Sequence, residues 1–215
     1  MKLPEYIKIS CLNDFAYCEC KIWNLFFGAG DVDTQDCKDG REKHTANSEK
    51  YTIPISLEKA KSNLKEGKST CSDEYPVVSD KLKLRGRIDR LEIFNDKVII
   101  WDLKPRKRNN IIYPSTIYQL VGYYLALTYK RPSIFTGIYD NFTNKDIFIG
   151  VKDEITNEIL MHPTFPKLEW ISRVYDAIDK INKIFKKEIS PKLNDNPNKC
   201  RSCSKYYDTC PWAIK

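Results

Sequence analysis

At 215 residues, with 41 % hydrophobic and 30 % charged residues, the chain has the material for one domain with a substantial core, or for a core carrying a small appended module. No run of about 18 apolar residues exists to cross a bilayer, and the opening "MKLPEYIKIS" lacks the basic start, apolar centre and cleavage site of a secretory signal, so the expectation is a cytoplasmic protein without membrane contact. Thirty-six Lys plus Arg against 29 Asp plus Glu leave a net charge of +7, a weak pointer to a polyanionic partner, and eight cysteines in an intracellular chain point to metal or cluster ligation rather than disulfides.

The segment "SCLNDFAYCECKIWNLFF" (10–27) opens on Ser10 as a cap, carries apolar residues at helical spacing and closes at Gly28, which predicts one helix. After the turn-rich "GAGDVDTQD", the polar run through "CKDGREKHTANSEK" predicts a second helix, kinked near Gly40 and carrying His44. "SLEKAKSNLKE" (56–66) reads as a short exposed helix, and "KLKLR" (81–85) begins a sheet. In "GRIDRLEIFNDKVIIWDLKPRKR" (86–108), two apolar, β-branched runs flank Asn95-Asp96, a pair suited to the positive φ angles of a tight turn, and predict an antiparallel hairpin. "STIYQLVGYYLALTYK" (115–130) predicts a helix capped by Ser115, with Pro132 beyond its end, and "SIFTGIYD" (133–140) with "DIFIGV" (146–151) predicts a second hairpin. A long helix over 166–189 sets Leu168, Ile171, Val174, Ile178, Ile181, Phe185 and Ile189 on one stripe between Pro166 and Pro191. The tail "NDNPNKCRSCSKYYDTCPWAIK" is aperiodic, so something other than a hydrophobic face must order it.

With Asn95 and Asp96 as the turn, antiparallel counting brings Asp89 opposite Asp102. Directly opposed Cβ atoms lie roughly 4.5 to 5.5 Å apart, where like charges repel. Leu91, Ile93, Val98 and Ile100 share that face and shield the pair from water, which makes the repulsion stronger. Such acids share a proton or coordinate a cation, and an all-oxygen donor set favours Mg²⁺ or Mn²⁺. Lys104, two residues on, shares the face and reaches toward a water or a phosphate oxygen. The competing reading ends the hairpin in solvent, with the acids paired to Arg87, Arg90 or Lys104. In the tail, Cys200, Cys203 and Cys210 form a C-x₂-C pair with a third thiol, one short of a tetrahedral or cubane site. The fourth ligand comes from Cys11, Cys18, Cys20, Cys37 or Cys71, and on chemistry alone zinc and an iron–sulfur cluster fit equally.

"GRID", "WDLK" and then "QLVGY" on the next helix resemble the ordered motifs of RecB-like PD-(D/E)XK nucleases. The resemblance implies an α/β, restriction-endonuclease-like core: a mixed sheet flanked by helices. It assigns metal binding to Asp89, Asp102 and the Leu103 carbonyl, positioning of the attacking water to Lys104, and support of the site to Gln119 and Tyr123. His44, in "DGREKH", resembles the upstream His ligand of the same group. Many members have Glu where this chain has Asp102. "FAYCECKIW" resembles the first-helix segment of those members that carry a [4Fe-4S] cluster. That similarity implies Cys18, with Cys200, Cys203 and Cys210, as the ligand set and leaves Cys20 a rival. The best match is the CRISPR-associated Cas-four exonuclease group, including relatives from archaeal viruses. It implies a divalent-metal-dependent deoxyribonuclease acting chiefly on single-stranded DNA with free ends, as an exonuclease with some endonuclease action. The partners it implies are CRISPR-adaptation integrase proteins or viral recombination proteins, in the host cytoplasm if viral.

The chain then divides into an N-terminal helix bearing one cluster cysteine (1–30), a nuclease core (31–190) and a cysteine-rich segment (191–215). Arg106, Lys107 and Arg108, just past the catalytic strand, are candidates for sequence-independent phosphate contacts, and Tyr206 and Trp212 could stack unpaired bases. The rival class is a non-catalytic nucleic-acid-binding or adaptor protein with a zinc-bound Cys₄ module.

Overall fold

The computed structural model describes residues 4–28, 30, 57–104, 112–129, 145–203, 206 and 208–214. Among them a six-stranded mixed sheet carries β1 (Ile7–Lys8), β2 (Thr70–Ser79), β3 (Leu84–Ile93), β4 (Lys97–Lys104), β5 (Asp146–Asp153) and β6 (Ile159–Thr164). The helices are α1 (Ser10–Tyr17), α2 (Glu19–Phe27), α3 (Leu57–Lys65), α4 (Pro114–Thr128), α5 (Leu168–Phe185) and the short α6 (Pro197–Arg201).

The strand order is β1-β3-β4-β5-β6, with β2 on the other edge of β3. The hairpin turns at Asn95-Asp96 as the sequence places it, though neither residue takes the positive φ expected there: the Phe94 N–H donates to the Lys97 carbonyl (2.9 Å), and the ladder runs from Ile93↔Val98 to Arg90↔Trp101. From β4 the chain crosses over through α4 and returns as β5, parallel to β4 from Lys97↔Asp146 to Lys104↔Asp153. The described partners of β5 are thus β4 and the unanticipated β6, which pairs with it antiparallel. The expected partner at 133–140 lies outside the described residues, as do the 37–50 helix with His44 and Cys37, and the basic loop Arg106, Lys107 and Arg108. Also unanticipated is β2, whose Pro76 fits an edge strand because a proline has no N–H to offer an outer neighbour.

One core joins the sheet to its helical layer: Ile9, Leu12 and Ile22 pack with Ile88, Leu91, Ile93, Val98 and Ile100, and with Leu120, Val121 and Ala126 of α4. Helix α4 is buried around most of its circumference, as a helix clamped between a sheet and other helices must be. Gly122 lets α1 approach it, since a Cβ there would stand 2.4 Å from Leu12 Cδ1. On α5 the expected stripe holds for Val174, Ile178, Ile181 and Phe185, but Leu168 is 84 % exposed, because the first residue of the helix overhangs the core. The helix stops at Phe185, short of the expected 189, and Lys187 enters the left-handed region (φ 60°), which terminates it.

The single helix expected over 10–27 is broken at Cys18, whose backbone is extended (φ −166°, ψ 124°). In a continuous helix, Cys18 and Cys20 would point about 200° apart. The break turns both toward the C-terminal segment. That tail is ordered against α1 and α2: the Tyr17 hydroxyl donates to the Lys199 carbonyl (2.7 Å), the Lys192 N–H to Glu19 Oε2 (2.8 Å), and Trp212 meets Trp23 edge-on at 5.6 Å. Tyr206, a candidate for base stacking in the sequence, is instead buried, with its hydroxyl donating to the Gly30 carbonyl at 2.7 Å.

Candidate active site

Asp89 and Asp102 stand just past the last ladder pair, Arg90↔Trp101, where β3 and β4 begin to part. Instead of a further rung, Asp89 Oδ2 accepts the Leu103 N–H at 2.9 Å, so the carboxylate of one strand is locked onto the backbone of the other. Asp102 is 1 % exposed, and the Lys104 ammonium lies 3.0 Å from its Oδ2. The β2–β3 ladder skips one pair here: Asp73 faces Arg90 and Tyr75 faces Ile88, while Glu74, between them, has φ 51°. Correspondingly, Ile88 and Leu91 are both buried, so the face alternation of β3 slips at Asp89.

Burial pulls the Lys104 ammonium toward neutrality, but the charges of Asp102 and Asp89, the hydrogen bond to Asp102 and the charge of Glu154 outweigh it and hold its pKa above the ordinary value. The Tyr123 hydroxyl is raised first by burial, then by the charge of Asp89, against a smaller lowering from its hydrogen bond to Gln119. Asp102 also raises the Tyr123 hydroxyl, so the charges of both acids act on Lys104 and on Tyr123. Gln119 Nε2 donates to the Tyr123 hydroxyl (3.4 Å), one turn along α4. Gly86 of "GRID" makes room for this arrangement, since a Cβ there would lie 2.9 Å from Tyr123 Cε1 and 3.2 Å from Ile9 Cβ.

The solvated reading offers Arg87, Arg90 or Lys104 as counter-charge: Arg90 is held by Asp73 through Nε (2.8 Å) and a second nitrogen (3.2 Å), and Lys104 does pair with Asp102, but that carboxylate is buried rather than in solvent. Two contributors escaped the sequence reading. Asn13 of α1 donates to Gln119 Oε1 at 3.0 Å and orients that amide. Glu154 is 4 % exposed, and its N–H donates to the Lys104 carbonyl at 3.0 Å. The signal for Glu154 is its place one residue past β5, at the carboxyl end of the catalytic strand's parallel neighbour, where α/β sheets collect functional groups. Its neighbour Asp153 is committed to the turn, with Oδ1 accepting the N–H groups of Ile155 (2.9 Å) and Thr156 (2.7 Å).

A model of the PD-(D/E)XK nuclease superfamily matches residues 34–211. The chain belongs to that superfamily. Its members are metal-dependent nucleases, and nucleic acid is their substrate. Among solved structures the fold is similar to SSO0001 (15 % identity, TM-score 0.51, covering 100 % of this chain and 90 % of that one). It is also similar to a protein described as "Putative exonuclease" from Eubacterium rectale (11 % identity, TM-score 0.48, covering 89 % and 86 %). A search of curated proteins finds no significant match. Carboxylate oxygens are donors of the kind Mg²⁺ and Mn²⁺ take. Among the described residues, no group of three or more His, Cys, Asp and Glu forms a complete ion site, and His44 lies outside them. No described helix is long and apolar enough to cross a membrane.

Away from the acids, Cys18, Cys20, Cys200, Cys203 and Cys210 line one cavity, together with Tyr17 and Lys199. Its volume of about 20 Å³ exceeds what one water requires, so the side chains stand around a hole rather than filling it. Hydrogen bonding from the Cys20 thiol lowers the Cys18 pKa to about 6 against the opposing effect of burial, with the N–H groups of Cys20 and Lys21 and the charge of Lys199 assisting. The Cys20 thiol is pushed up by the same bond and by burial, and its sulfur lies 3.7 Å from the Lys192 carbonyl. Cys11 is buried in the main core, and Cys71 is exposed on β2.

Proposed function

We propose that the chain is a divalent-metal-dependent deoxyribonuclease of the Cas-four type, hydrolysing phosphodiester bonds chiefly in single-stranded DNA as an exonuclease, with some endonuclease action. The observation that carries this is the lock between β3 and β4: Leu103 N–H on Asp89, with Lys104 on Asp102, at the parting of two strands. Asp89, Asp102, the Leu103 carbonyl and His44 are the residues that hold Mg²⁺ or Mn²⁺. A divalent ion, when bound, supplies Lewis acidity to the phosphate and favours hydroxide near neutral pH. Lys104, charged because two carboxylates face it, positions the attacking water and stabilises charge that develops on the phosphoryl oxygens. Gln119, oriented by Asn13, keeps Tyr123 against the acids.

On this reading the cysteine cavity holds a structural [4Fe-4S] cluster through Cys18, Cys200, Cys203 and Cys210. Segments 1–30 and 191–215 then frame a nuclease core at 31–190, and Arg106, Lys107 and Arg108 contact flanking phosphates. What supports a cluster over a single zinc is the resemblance of "FAYCECKIW" to the first-helix segment of cluster-carrying members; that the thiols of both chain ends line one cavity fits either group. Cytoplasmic partners of this activity are CRISPR-adaptation integrase proteins or viral recombination proteins.

The test incubates the purified protein with end-labelled single- and double-stranded DNA in Mn²⁺ or in EDTA and records its visible spectrum. Mn²⁺-dependent loss of the single strand, with broad absorbance near 400 nm, is expected. A colourless, zinc-containing protein that binds DNA without cutting it overturns the reading in favour of an adaptor.

A further inference from the structure

Strand β3 has β2 along one edge, so its other edge is shared: β1 occupies it at Leu84 and Arg85, and β4 from Arg90 to Ile93. Among the described residues, no strand covers that edge between these two stretches, at residues 86–89. A cavity of about 400 Å³ borders this notch and reaches across β3 to β2, lined by Lys8 to Ser10, Pro76 to Val78, Arg85 to Arg87 and Tyr123. Its size falls within the roughly 300 to 1,000 Å³ of small-ligand sites. Tyr123 of that lining packs against Gly86, three residues before Asp89 on the same strand.

The cavity's charged lining residues, Lys8, Arg85 and Arg87, are all cations. Arg90, the first residue past the notch, is neutralised by Asp73, but among the described residues neither Arg85 nor Arg87 has a side-chain hydrogen bond or ion pair. Both are exposed. At about 3.3 Å per strand residue, Arg87 lies about 7 Å from Asp89 along β3, and Arg85 about 7 Å further. Phosphate charges recur about every 3.4 Å along a stacked strand, so the two guanidiniums match phosphates about two and about four nucleotides from the one being cut. A guanidinium fork also suits phosphate better than a point charge does.

We propose that the notch is the seat of a single DNA strand beside the cleavage point, with Arg85 and Arg87 holding its phosphates. The proposal rests on the nuclease reading and adds where the strand lies. It is tested by fluorescence anisotropy of 5′-labelled dT15 in EDTA across 50 to 200 mM KCl. The variants are Arg85→Ala/Arg87→Ala, Arg85→Lys/Arg87→Lys and, for an equal loss of charge outside the notch, Lys183→Ala/Lys186→Ala on and just past the end of α5. The Ala pair is expected to weaken binding about tenfold and to reduce the slope of log K against log [salt] by about 1.4, because two single-strand phosphate contacts are lost. The Lys pair is expected to retain the slope with weaker affinity, and the α5 pair to match wild type.

An Ala pair that binds with wild-type affinity and slope overturns the proposal, as does an α5 pair that loses as much, because the effect is then net charge alone. Tighter binding of rU15 than of dT15 overturns DNA as the occupant. Wild-type protein that neither binds nor cuts DNA overturns the nuclease reading itself, whereas cleavage with an unaffected Ala pair overturns only the notch. Circular dichroism of each variant reports its folding.

Discussion

Asp89, Asp102 and Lys104 reach their places by backbone pairing inside a sheet, on strands joined by one short turn. Cys18, Cys20, Cys200, Cys203 and Cys210 come instead from the two ends of the chain, brought together by contacts such as Tyr17 hydroxyl to Lys199 carbonyl, 182 residues apart. The first region is seated on a continuous apolar core, while the second is held by hydrogen bonds and a few aromatic contacts and, on the proposed reading, by a group bound to its thiols. A site made by pairing within a buried sheet is preorganised by folding itself. A site made by closing a long loop bears the entropy of that closure and depends on its ligand to offset it.

The largest effect expected from this contrast is at the acids. Asp102→Ala should lower cleavage by about 10³-fold or more while leaving the melting temperature nearly unchanged, as read by single-turnover cleavage beside calorimetry. Parallel loss of fold would show that the acid region is not independently organised. Next, Cys200→Ala/Cys203→Ala should release the tail: proteolysis should cut within 191–215 and stability fall by on the order of 4 kcal/mol, the scale of an opened long cross-link. An intact tail in that variant would make the two regions alike. Gly86→Ala should cost about 1 to 3 kcal/mol and displace the Tyr123 ring, since a Cβ there stands 2.9 Å from it; a crystal structure or aromatic NMR shifts would report the movement.

A smaller loss, about tenfold in kcat with little change in KM, is expected for Gln119→Ala, which removes the link between Asn13 and Tyr123. The least effect concerns a thiol on the sheet. Although Cys71 is exposed on β2, desolvation by the atoms around its sulfur, then the charge of Glu92, pushes the thiol up to about 11, so it stays neutral at pH 8. Its raised pKa makes folding most favourable while the thiol is protonated, so that contribution is complete below about pH 9 and fades as pH climbs toward 11. Maleimide labelling followed by peptide mapping should find Cys71 slow at pH 8 and accelerating only above about pH 9, and rapid labelling at pH 7 would refute the assignment.

Much of the catalytic strand pair was legible because its determinants are local. A turn at Asn95-Asp96 and a period of two suffice to count Asp89 and Asp102 to the end of the hairpin, but the ladder stops one pair short, at Arg90↔Trp101, and Asp89 accepts the Leu103 N–H where β3 slips its face alternation. Helix α4 was legible for a similar reason, with a regular apolar spacing that places Gln119 and Tyr123 one turn apart. The break at Cys18 was not. Apolar periodicity runs through it, and only contact with the C-terminal segment favours an extended residue there. Nor were β2 and β6, which carry Pro76 and Pro163 and are strands because a neighbour offers hydrogen bonds.

Local sequence by itself determined the hairpin, the residues that end it and the reservoir of thiols in the tail, because turns, alternation and spacing act over a few residues. Tertiary structure alone decided that β4 and β5 run parallel and so bring Glu154 to Lys104, that Asn13 meets Gln119 across 106 residues, and that β1 and β4 leave a notch on β3. Those choices depend on which elements bury one another's faces, a free energy summed over the whole core that no short window of residues contains.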